Sequence, residues 1–441
     1  MASLGTIPRR CVNLPPGTLR ALVGCLYRHT VQSGPALGLF QQRMAQWLGV
    51  PYVFGTSMGR SAFQLALESL DLDKGAEIIF PALTFPVIPM IAQMLGYTPV
   101  FCAVDAETFN AGPQHIAPMI TARTGAIVAT HLFGQACPIH DVVALAGQRG
   151  IRVIEDCAHA CGVRVDGRQV GTFGDVGVFS FAEGKNMPCL GGGAIATGDE
   201  AVARRVEAIL AKAPTPATTT IVRTAFSIWT KWLLTRPVIF GLTAYPVLRL
   251  QLCFGRSLMD STVGDELLED CRHAQPTVSR MANLQATIGL LQLEHIDAFI
   301  AGAQYNAQLL TTTLGTVPGI AIPQTQDDNH IYVYYPLTTA PEKRDALRHY
   351  LLRHGVDSKL IDMCDCMALT TFCDATYPSQ QPASPHEASL LEICVSPLSL
   401  RSTSAGLPDS SGRGLACQPD TLGMRGPHRG SLPARARVVS L

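Results

Sequence analysis

Three short segments carry residue types that could do covalent chemistry. Lys185 lies in the loop SFAEGKN, and a lysine amine can act as a nucleophile and as a proton carrier. Asp156 closes the apolar run VIED, where a carboxylate can hold a proton or face a positive charge. Upstream, GTSMGRS is a glycine-rich turn before a helix, and backbone N–H groups around Gly59 and Ser61 could bind an anion there. Taken singly, each has a plain structural alternative: a solvated lysine, an acid paired with an arginine, and an ordinary turn.

Together, the three segments match what the cofactor pyridoxal phosphate requires of a protein. A lysine must form an imine with the cofactor aldehyde, and a carboxylate must keep the pyridine nitrogen protonated. A turn with unpaired backbone N–H groups must take the phosphate. A flat apolar side chain should cover the ring, and Phe85 in PALTFPV is placed to do so.

The elements that must position these residues follow a strand–helix rhythm. EIIFPALTFPVIPMIAQMLGYTPVFCAVD predicts strand, helix and strand, and further strands are predicted at GAIVATHLFGQ, IRVIEDCAHA, GVFSFAEGKN and GGGAIAT. Helical spacing is found over 14–48, 138–149 and 200–212, from Thr277 onward, and over 342–355. HIYVYYPL predicts one more strand. The pattern predicts an α/β fold with a mainly parallel central sheet flanked by helices, which binds its ligand at the carboxyl ends of the strands.

We divide the chain into five parts on this basis. They are an N-terminal helical segment (1–48), a large cofactor-binding α/β domain (49–214), an apolar insert (215–275), a long interface helix with a small C-terminal α+β domain (276–396), and a tail (397–441). The tail is rich in Gly, Pro, Ser and Arg and has no periodicity, which predicts disorder.

Several ordered segments give the chain a specific resemblance. It resembles the DegT/StrS family of pyridoxal-phosphate-dependent sugar aminotransferases, which have the fold of aspartate aminotransferase (PLP-dependent transferase fold type I). The similarity covers about residues 15–396. It is carried by MGRSAFQLALESL, PALTFPV, HLFGQACPIHDV, the run VIEDCAHACGVRVDGRQVGTFGDVGVFSFAEGKNMPCLGGGAIAT, and SRMANLQATIGLLQLEHID.

The resemblance implies a role for each site residue. Lys185 is the Schiff-base lysine, Asp156 pairs with the pyridine nitrogen, and His159 lies near the ring and its phenolic oxygen. Phe85 stacks on the ring, and the phosphate is held by Gly59, Arg60, Ser61 and Ser180. The implied reaction moves an amino group from glutamate to a nucleotide-linked keto-sugar, for surface polysaccharide or antibiotic sugar biosynthesis. The implied assembly is a homodimer with active sites at the subunit interface.

Some positions depart from the family pattern. Val278 stands where the family has an Asn that reaches a neighbour's phosphate, and 211–214 reads AKAP where Asn-His-Gly is common. Two alternatives therefore stay open. One is a family member without turnover, acting as a scaffold or regulator. The other is a sugar dehydratase, but those enzymes have a His in place of the Schiff-base lysine, so Lys185 argues against it.

Composition limits the partners and the compartment. Lys plus Arg and Asp plus Glu both number 34, and a net charge of zero gives no support for nucleic-acid binding. The first residues lack the apolar core of a secretory signal, which predicts a cytoplasmic enzyme with reduced cysteines. We expect no metal, because Cys364, Cys366 and Cys373 are close together without paired Cys-x-x-Cys spacing.

The apolar stretch 220–254 allows two interpretations. It contains Trp229 and Trp232 among cations and prolines, and its longest uncharged run, 237–248, is shorter than the roughly 20 residues needed to span a bilayer. It could be helices packed on the core or on a partner subunit. Alternatively, it could be an interfacial anchor that makes a peripheral membrane contact.

Overall fold

The N-terminal part is helical, as its apolar spacing predicts. A computed structural model describes residues 6–253, 277–324, 329–361, 363–367, 369 and 390–393. The first two helices are α1 (Thr18–Tyr27) and α2 (Ala36–Leu48). α2 buries Phe40, Met44 and Leu48 on one face, because residues four apart lie one above the other on a helix. It ends at Gly49, whose φ of 77° lies in the left-handed region that commonly closes helices.

A seven-stranded sheet forms the centre, in the order β1-β10-β9-β6-β5-β2-β4. Strands β1 to β10 are Tyr52–Thr56, Glu77–Pro81, Leu83–Thr84, Thr98–Cys102, Thr124–Thr130, Arg152–Asp156, Arg164–Val165, Arg168–Gln169, Val176–Ser180 and Gly193–Thr197. The neighbours from β9 to β4 run parallel, whereas β10 is antiparallel to both β9 and β1. The predicted mainly parallel sheet is confirmed. The carboxyl ends of β9, β6, β5 and β2 therefore meet at one edge of the sheet.

Helices cover both faces of this sheet. They are α3 (Gly59–Ser69), α4 (Val87–Met94), α5 (Pro113–Ile116), α6 (Ile139–Gly147) and α7 (Glu200–Lys212), with short 3-10 turns at Ala117–Met119 and Leu132–Gly134. α3 is buried along nearly its whole length, between the sheet and the helices α4 and α7. α7 begins where the Asp199 carboxylate accepts hydrogen bonds from the N–H groups of Ala201 and Val202. This packing fixes the first turn of α3, which faces the site.

The rest of the described chain is an insert, a long helix and a small sheet. The insert contains α8 (Thr218–Leu234), α9 (Pro237–Leu242) and α10 (Ala244–Cys253), and the long helix α11 (Asn283–Leu314) follows. Beyond α11 lie β11 (Ile320–Ala321), β12 (Tyr335–Thr339), α12 (Pro341–Arg353), β13 (Cys364–Asp365) and β14 (Leu390–Ile393). β11, β12 and β14 form an antiparallel sheet, and β13 pairs with β3. The division into five parts stays a prediction; its tail, 397–441, and Cys373 lie outside the described residues.

A segment near the start of the chain is tied to the small C-terminal region. Ile7 forms a β-bridge with Val356, in which the Ile7 N–H donates to Gly355 and the Ile7 carbonyl accepts from Asp357, both at 2.8 Å. Arg9 makes a two-pronged ion pair with the buried Asp357 carboxylate, at 2.8 and 3.0 Å. These contacts lay the N-terminal segment, which we call the N-terminal strap (residues 6–12), across the cavity side of the molecule.

Two predicted boundaries are wrong, each because tertiary contacts use the backbone differently. The helix predicted from Thr277 begins at Asn283, since Ser279 and Met281 instead pair with the segment around β1. The strand predicted over 330–337 begins at Tyr335. Before it, Tyr332 has a φ of 49° and donates its N–H to the His330 ring, a geometry that no strand allows.

Candidate active site

A cavity of about 220 Å³ lies at the carboxyl ends of the parallel strands. Thr130 ends β5, Asp156 ends β6 and Ser180 ends β9, so three neighbouring strands each bring one polar residue to it. The cavity also brings together most of the residues nominated from the sequence. Seven of the eight line it: Gly59, Arg60, Phe85, Asp156, His159, Ser180 and Lys185. The eighth, Ser61, is buried behind the lining and donates its hydroxyl to the Thr277 carbonyl at 3.2 Å.

Asp156 is a buried carboxylate held in a defined orientation. One of its oxygens accepts a hydrogen bond from the Ala158 N–H at 3.0 Å. Burial raises the pKa of the Asp156 carboxyl, while the Ala158 hydrogen bond and the positive charges of Lys185 and His131 act in the opposite direction. A carboxylate in such a place is stabilised by a cationic N–H group brought against it. The protonated nitrogen of a pyridine ring is a group of that kind.

His159 is a buried, neutral imidazole at the floor of the cavity. Burial lowers the pKa of its ring well below the ordinary value, and the charges of Lys185 and Lys359 lower it further. Its Nδ1 accepts a hydrogen bond from the Phe133 N–H at 3.4 Å, which leaves the proton on Nε2. Phe133 adopts a left-handed φ of 58°, and the Tyr334 ring packs edge-on against the imidazole at 5.2 Å. The surroundings therefore fix both the protonation state and the ring orientation.

Lys185 lies in the loop between β9 and β10, which is held by a hydrogen bond within the loop and by contacts from two other parts of the fold. The Lys185 N–H donates to the Ala182 carbonyl at 3.0 Å within the loop. The Tyr334 hydroxyl donates to the Gly184 carbonyl at 2.9 Å from the C-terminal region. From α8, the Lys231 ammonium pairs with both oxygens of Glu183, at 2.8 and 2.9 Å. The residues on the N-terminal side of Lys185 are thus anchored from both sides of the cavity.

The start of α3 packs closely on Ser180. A Cβ added at Gly59 would lie 2.7 Å from the Ser180 Cβ and 2.8 Å from its hydroxyl, so no side chain fits there. The side chain of the N-cap residue Met58 accepts a hydrogen bond from the Arg60 Nε at 3.2 Å but caps no backbone N–H of the helix. The first turn of α3 therefore presents its N–H groups and the positive end of the helix dipole beside the Ser180 hydroxyl, which suits a phosphate.

Sequence reasoning missed several residues of the cavity, among them Thr130, Tyr334 and Arg10. Thr130 is buried, and its hydroxyl has no hydrogen-bond partner among the described residues. Its position at the end of a predicted strand could have found it. Tyr334 and Arg10 also line the cavity, but they come from the C-terminal region and from the N-terminal strap. No local pattern marks either of them, because only the fold brings those segments to Lys185.

A buried cluster beside the cavity has the residue types of a metal site. Ligand atoms of His131, Glu155 and Cys157 lie within 4.8 Å of one another. The Glu155 carboxylate already accepts the N–H groups of Gly171, Phe173 and Gly174 at 2.6 to 2.7 Å, and a His131 ring nitrogen lies 3.1 Å from it. These hydrogen bonds give the cluster a structural role, because they anchor the 171–174 loop to the end of β6.

Comparison with known proteins decides the family. Residues 17–222 and 266–399 match the DegT/DnrJ/EryC1/StrS aminotransferase family, which is well over half of the chain. The chain belongs to this family. The resemblance found in the sequence is therefore confirmed.

Two relatives match the chain over about three quarters of its length. The chain is 28% identical over 326 residues to dTDP-3-amino-3,4,6-trideoxy-alpha-D-glucose transaminase of Streptomyces venezuelae, covering 74% of this chain and 72% of that one. It is 29% identical over 321 residues to GDP-perosamine synthase of Escherichia coli O157:H7, covering 73% and 74%. The solved aminotransferase from Psychrobacter cryohalolentis superimposes with a TM-score of 0.69 at 23% identity, over 88% of this chain and 94% of that one. The predicted fold of a pyridoxal-phosphate-dependent aminotransferase is confirmed.

The structure also locates the departures from the family pattern. Val278 is buried in the core packed around α3, so an apolar contact stands where the family has a polar one. The AKAP segment at 211–214 ends α7, and its Pro214 carbonyl accepts the Arg280 N–H at 2.9 Å. Both departures lie beside the segment 55–61 that leads into α3, and neither Val278 nor residues 211–214 line the cavity.

Proposed function

We propose that this chain is a pyridoxal-phosphate-dependent aminotransferase that moves an amino group from glutamate to a nucleotide-linked keto-sugar, for surface polysaccharide or sugar-containing antibiotic synthesis. One observation carries the proposal: seven residues nominated from separate segments converge on a single cavity. The family and the relatives named above support the reaction type. Lys185 supports the aminotransferase over the dehydratase alternative.

The cavity fits the cofactor at each end. The unpartnered Thr130 hydroxyl faces the space beside Asp156, where a polar ring substituent would satisfy it. The close approach of Gly59 to Ser180 leaves the α3 N-terminus open for a phosphate. Asp156 would face the ring nitrogen, Phe85 would cover one face of the ring, and Lys185 would hold the aldehyde carbon. When bound, the cofactor supplies an electron-accepting ring that stabilises negative charge at the substrate carbon next to nitrogen.

Three residues of the chain would each hold, move or donate a proton during the reaction. The Asp156 carboxylate holds a proton at the ring nitrogen, so that the ring keeps its electron-accepting form. The Lys185 amine would move the proton from the α-carbon of the donor to the cofactor carbon bonded to the nitrogen, and in the second half-reaction would move a proton from that cofactor carbon to the sugar carbon that receives the amine. The neutral His159 donates from Nε2 without adding a second positive charge beside Lys185. Because donor and acceptor use the same cavity in turn, we expect ping-pong kinetics.

Absorbance spectroscopy of the purified protein tests this proposal. The wild type should bind pyridoxal phosphate with a visible band from the lysine-bound form, and glutamate should convert that band to the aminated form of the cofactor. Lys185→Ala should abolish the band, while the exposed Lys212→Ala serves as the matched control and should retain it. A band that no amino donor shifts would instead favour the family member without turnover. A folded wild type with no band would refute the proposal.

We also propose a homodimer and a peripheral membrane contact through 220–254. Supporting the dimer, α1 leaves Leu19, Val23 and Tyr27 exposed in one row at four-residue spacing, which suits a second copy of this chain. Light scattering should give the mass of two chains, and Val23→Gln with Tyr27→Ser should lower it. A mass of one chain for the wild type would remove the dimer. Regarding the membrane, no helix in the described part of the chain is long and apolar enough to cross a bilayer.

A further inference from the structure

The insert leaves an apolar surface that the fold does not use. We call it the insert patch: Phe226 (64% exposed), Val238 (48%), Leu242 (70%), Val247 (54%) and Leu250 (59%). Val238 and Leu242 are four residues apart on α9, and Val247 and Leu250 are three apart on α10, so each pair shares one helix face. Exposed apolar surface gathered in this way marks a place of interaction.

The other side of the same helices already has its partners. Ile221, Ala225 and Ile228 bury one face of α8 in a cluster with α1 and the start of α11. Phe240 is the buried residue of α9. α8 and α9 are therefore folded onto the body of the protein by their buried residues, and the residues of the insert patch lie outside those buried sets.

The charges within the insert's own sequence have a single sign. From Ala213 to Met259 the sequence has five Lys and Arg residues and no Asp or Glu. Lys231 is neutralised by Glu183. The Arg249 guanidinium lies 6.0 Å from the centre of the Tyr245 ring, and that of Arg236 lies 4.3 Å from the Trp232 ring, which itself packs against the buried cluster of α8. Cations beside indole and phenol rings at the edge of an apolar face are the arrangement found at the headgroup level of a membrane.

We propose that the insert patch docks on an anionic lipid bilayer, with α9 and α10 lying in the plane of the interface. The single-sign charge favours a negatively charged surface, and the exposed leucines and valines favour the boundary of its acyl chains. α8 has 17 residues and is about 25 Å long, with Arg223 and Lys231 inside it, so it lies along the surface and does not cross it. This docking specifies the membrane contact through 220–254 proposed above and rests on it, but it is independent of the proposed reaction, because it uses no residue of the cavity.

Vesicle flotation of the full-length protein loaded with pyridoxal phosphate tests the apolar part. The protein should float with vesicles of phosphatidylcholine mixed with phosphatidylglycerol. Leu242→Gln combined with Leu250→Gln should lower the bound fraction severalfold. Leu309→Gln is the matched control, because Leu309 is also an exposed leucine but lies on α11 far along the chain from the insert. A wild type that stays unbound would overturn the inference, as would equal loss in the control.

Replacing the anionic lipid by neutral lipid, and removing the cations of the insert, test the electrostatic part of the proposal. Arg236→Gln with Arg249→Gln should weaken binding by roughly 25-fold, since each cation near an anionic surface contributes roughly fivefold. Neutral phosphatidylcholine vesicles should bind weakly, and added salt should weaken binding further. The second copy of this chain is the competing occupant. If Leu242→Gln with Leu250→Gln halves the mass in light scattering, the insert patch is a subunit contact and the membrane inference is wrong.

Discussion

Replacing Gly59 by alanine should separate the start of α3 from the end of β9. Two effects oppose each other. Alanine is about 1 kcal/mol better than glycine inside a helix. However, the new Cβ would lie 2.7 Å from the Ser180 Cβ and 2.8 Å from its hydroxyl, and overpacking of this kind typically costs about 1–3 kcal/mol. We therefore expect a net loss of up to about 2 kcal/mol in the free energy of unfolding, and weaker binding of pyridoxal phosphate by at least tenfold.

A double-mutant cycle shows which atoms of Ser180 clash with the new Cβ at position 59. Ser180→Ala removes the hydroxyl but leaves the Cβ, so it should not rescue Gly59→Ala. Ser180→Gly removes both atoms, and the nearest remaining one is the Ser180 Cα at 3.1 Å, so it should restore part of the loss. Coupling between the Gly59 and Ser180 changes should exceed about 0.5 kcal/mol in the rescuing pair only.

The measurements are urea unfolding of the cofactor-free protein and absorbance titration with pyridoxal phosphate. Gly38→Ala is the matched control, because Gly38 lies in α2 and a Cβ there would meet nothing within 4 Å. That variant should gain up to about 1 kcal/mol of stability and bind the cofactor normally. If Gly59→Ala behaves like the control, or if Ser180→Ala rescues as well as Ser180→Gly, the packing argument fails.

Three further predictions concern buried charge. Burial raises the pKa of Asp156 above 3.8, so the cofactor-free fold loses stability as the pH rises through the folded pKa. Asp156→Asn should therefore unfold at a higher urea concentration than the wild type at pH 7, and the difference should be smaller at pH 4. The same variant should bind pyridoxal phosphate poorly. Burial lowers the pKa of His330 from 6.5 to about 3, so stability present above pH 6.5 is lost as the pH falls towards 3. Between pH 6.5 and 4, the urea midpoint of His330→Asn should therefore fall less steeply than that of the wild type. Arg9→Met leaves the Asp357 carboxylate buried without its ion-pair partner and should cost about 3 kcal/mol in urea unfolding, whereas unchanged stability would mean that other groups neutralise Asp357.

The chemistry of the site could be predicted because it lies at the ends of strands. Asp156 and Ser180 each follow a short apolar run, and parallel strands bring such ends to one edge regardless of the rest of the fold. Lys185 lies in the loop that follows β9, and Gly59 begins α3 shortly after the end of β1. Ser61 shows the limit of this reasoning, because residues in one turn can point to opposite sides, and its hydroxyl faces Thr277.

Residues that reach the site from far along the chain could not be predicted. Tyr334 holds the Gly184 carbonyl across 150 positions of sequence. It lies in HIYVYYPL, whose alternation favours a strand, but Ile331 donates its N–H to the Gly134 carbonyl and Tyr332 turns left-handed. Those non-local contacts outweigh strand propensity, which is a weak preference that depends on context.

The N-terminal strap has a consequence for the order of events during synthesis. Ile7 is made early, yet the backbone groups it pairs with, at Gly355 and Asp357, leave the ribosome some 350 residues later. Contacts so distant in sequence form late in folding, because the loop between them must first be closed. Since Arg10 lines the cavity from this same strap, the cavity wall is complete only after the C-terminal region has been made. Loading of pyridoxal phosphate into its finished pocket is therefore expected after translation, and a nascent chain stalled before residue 355 should retain the cofactor poorly.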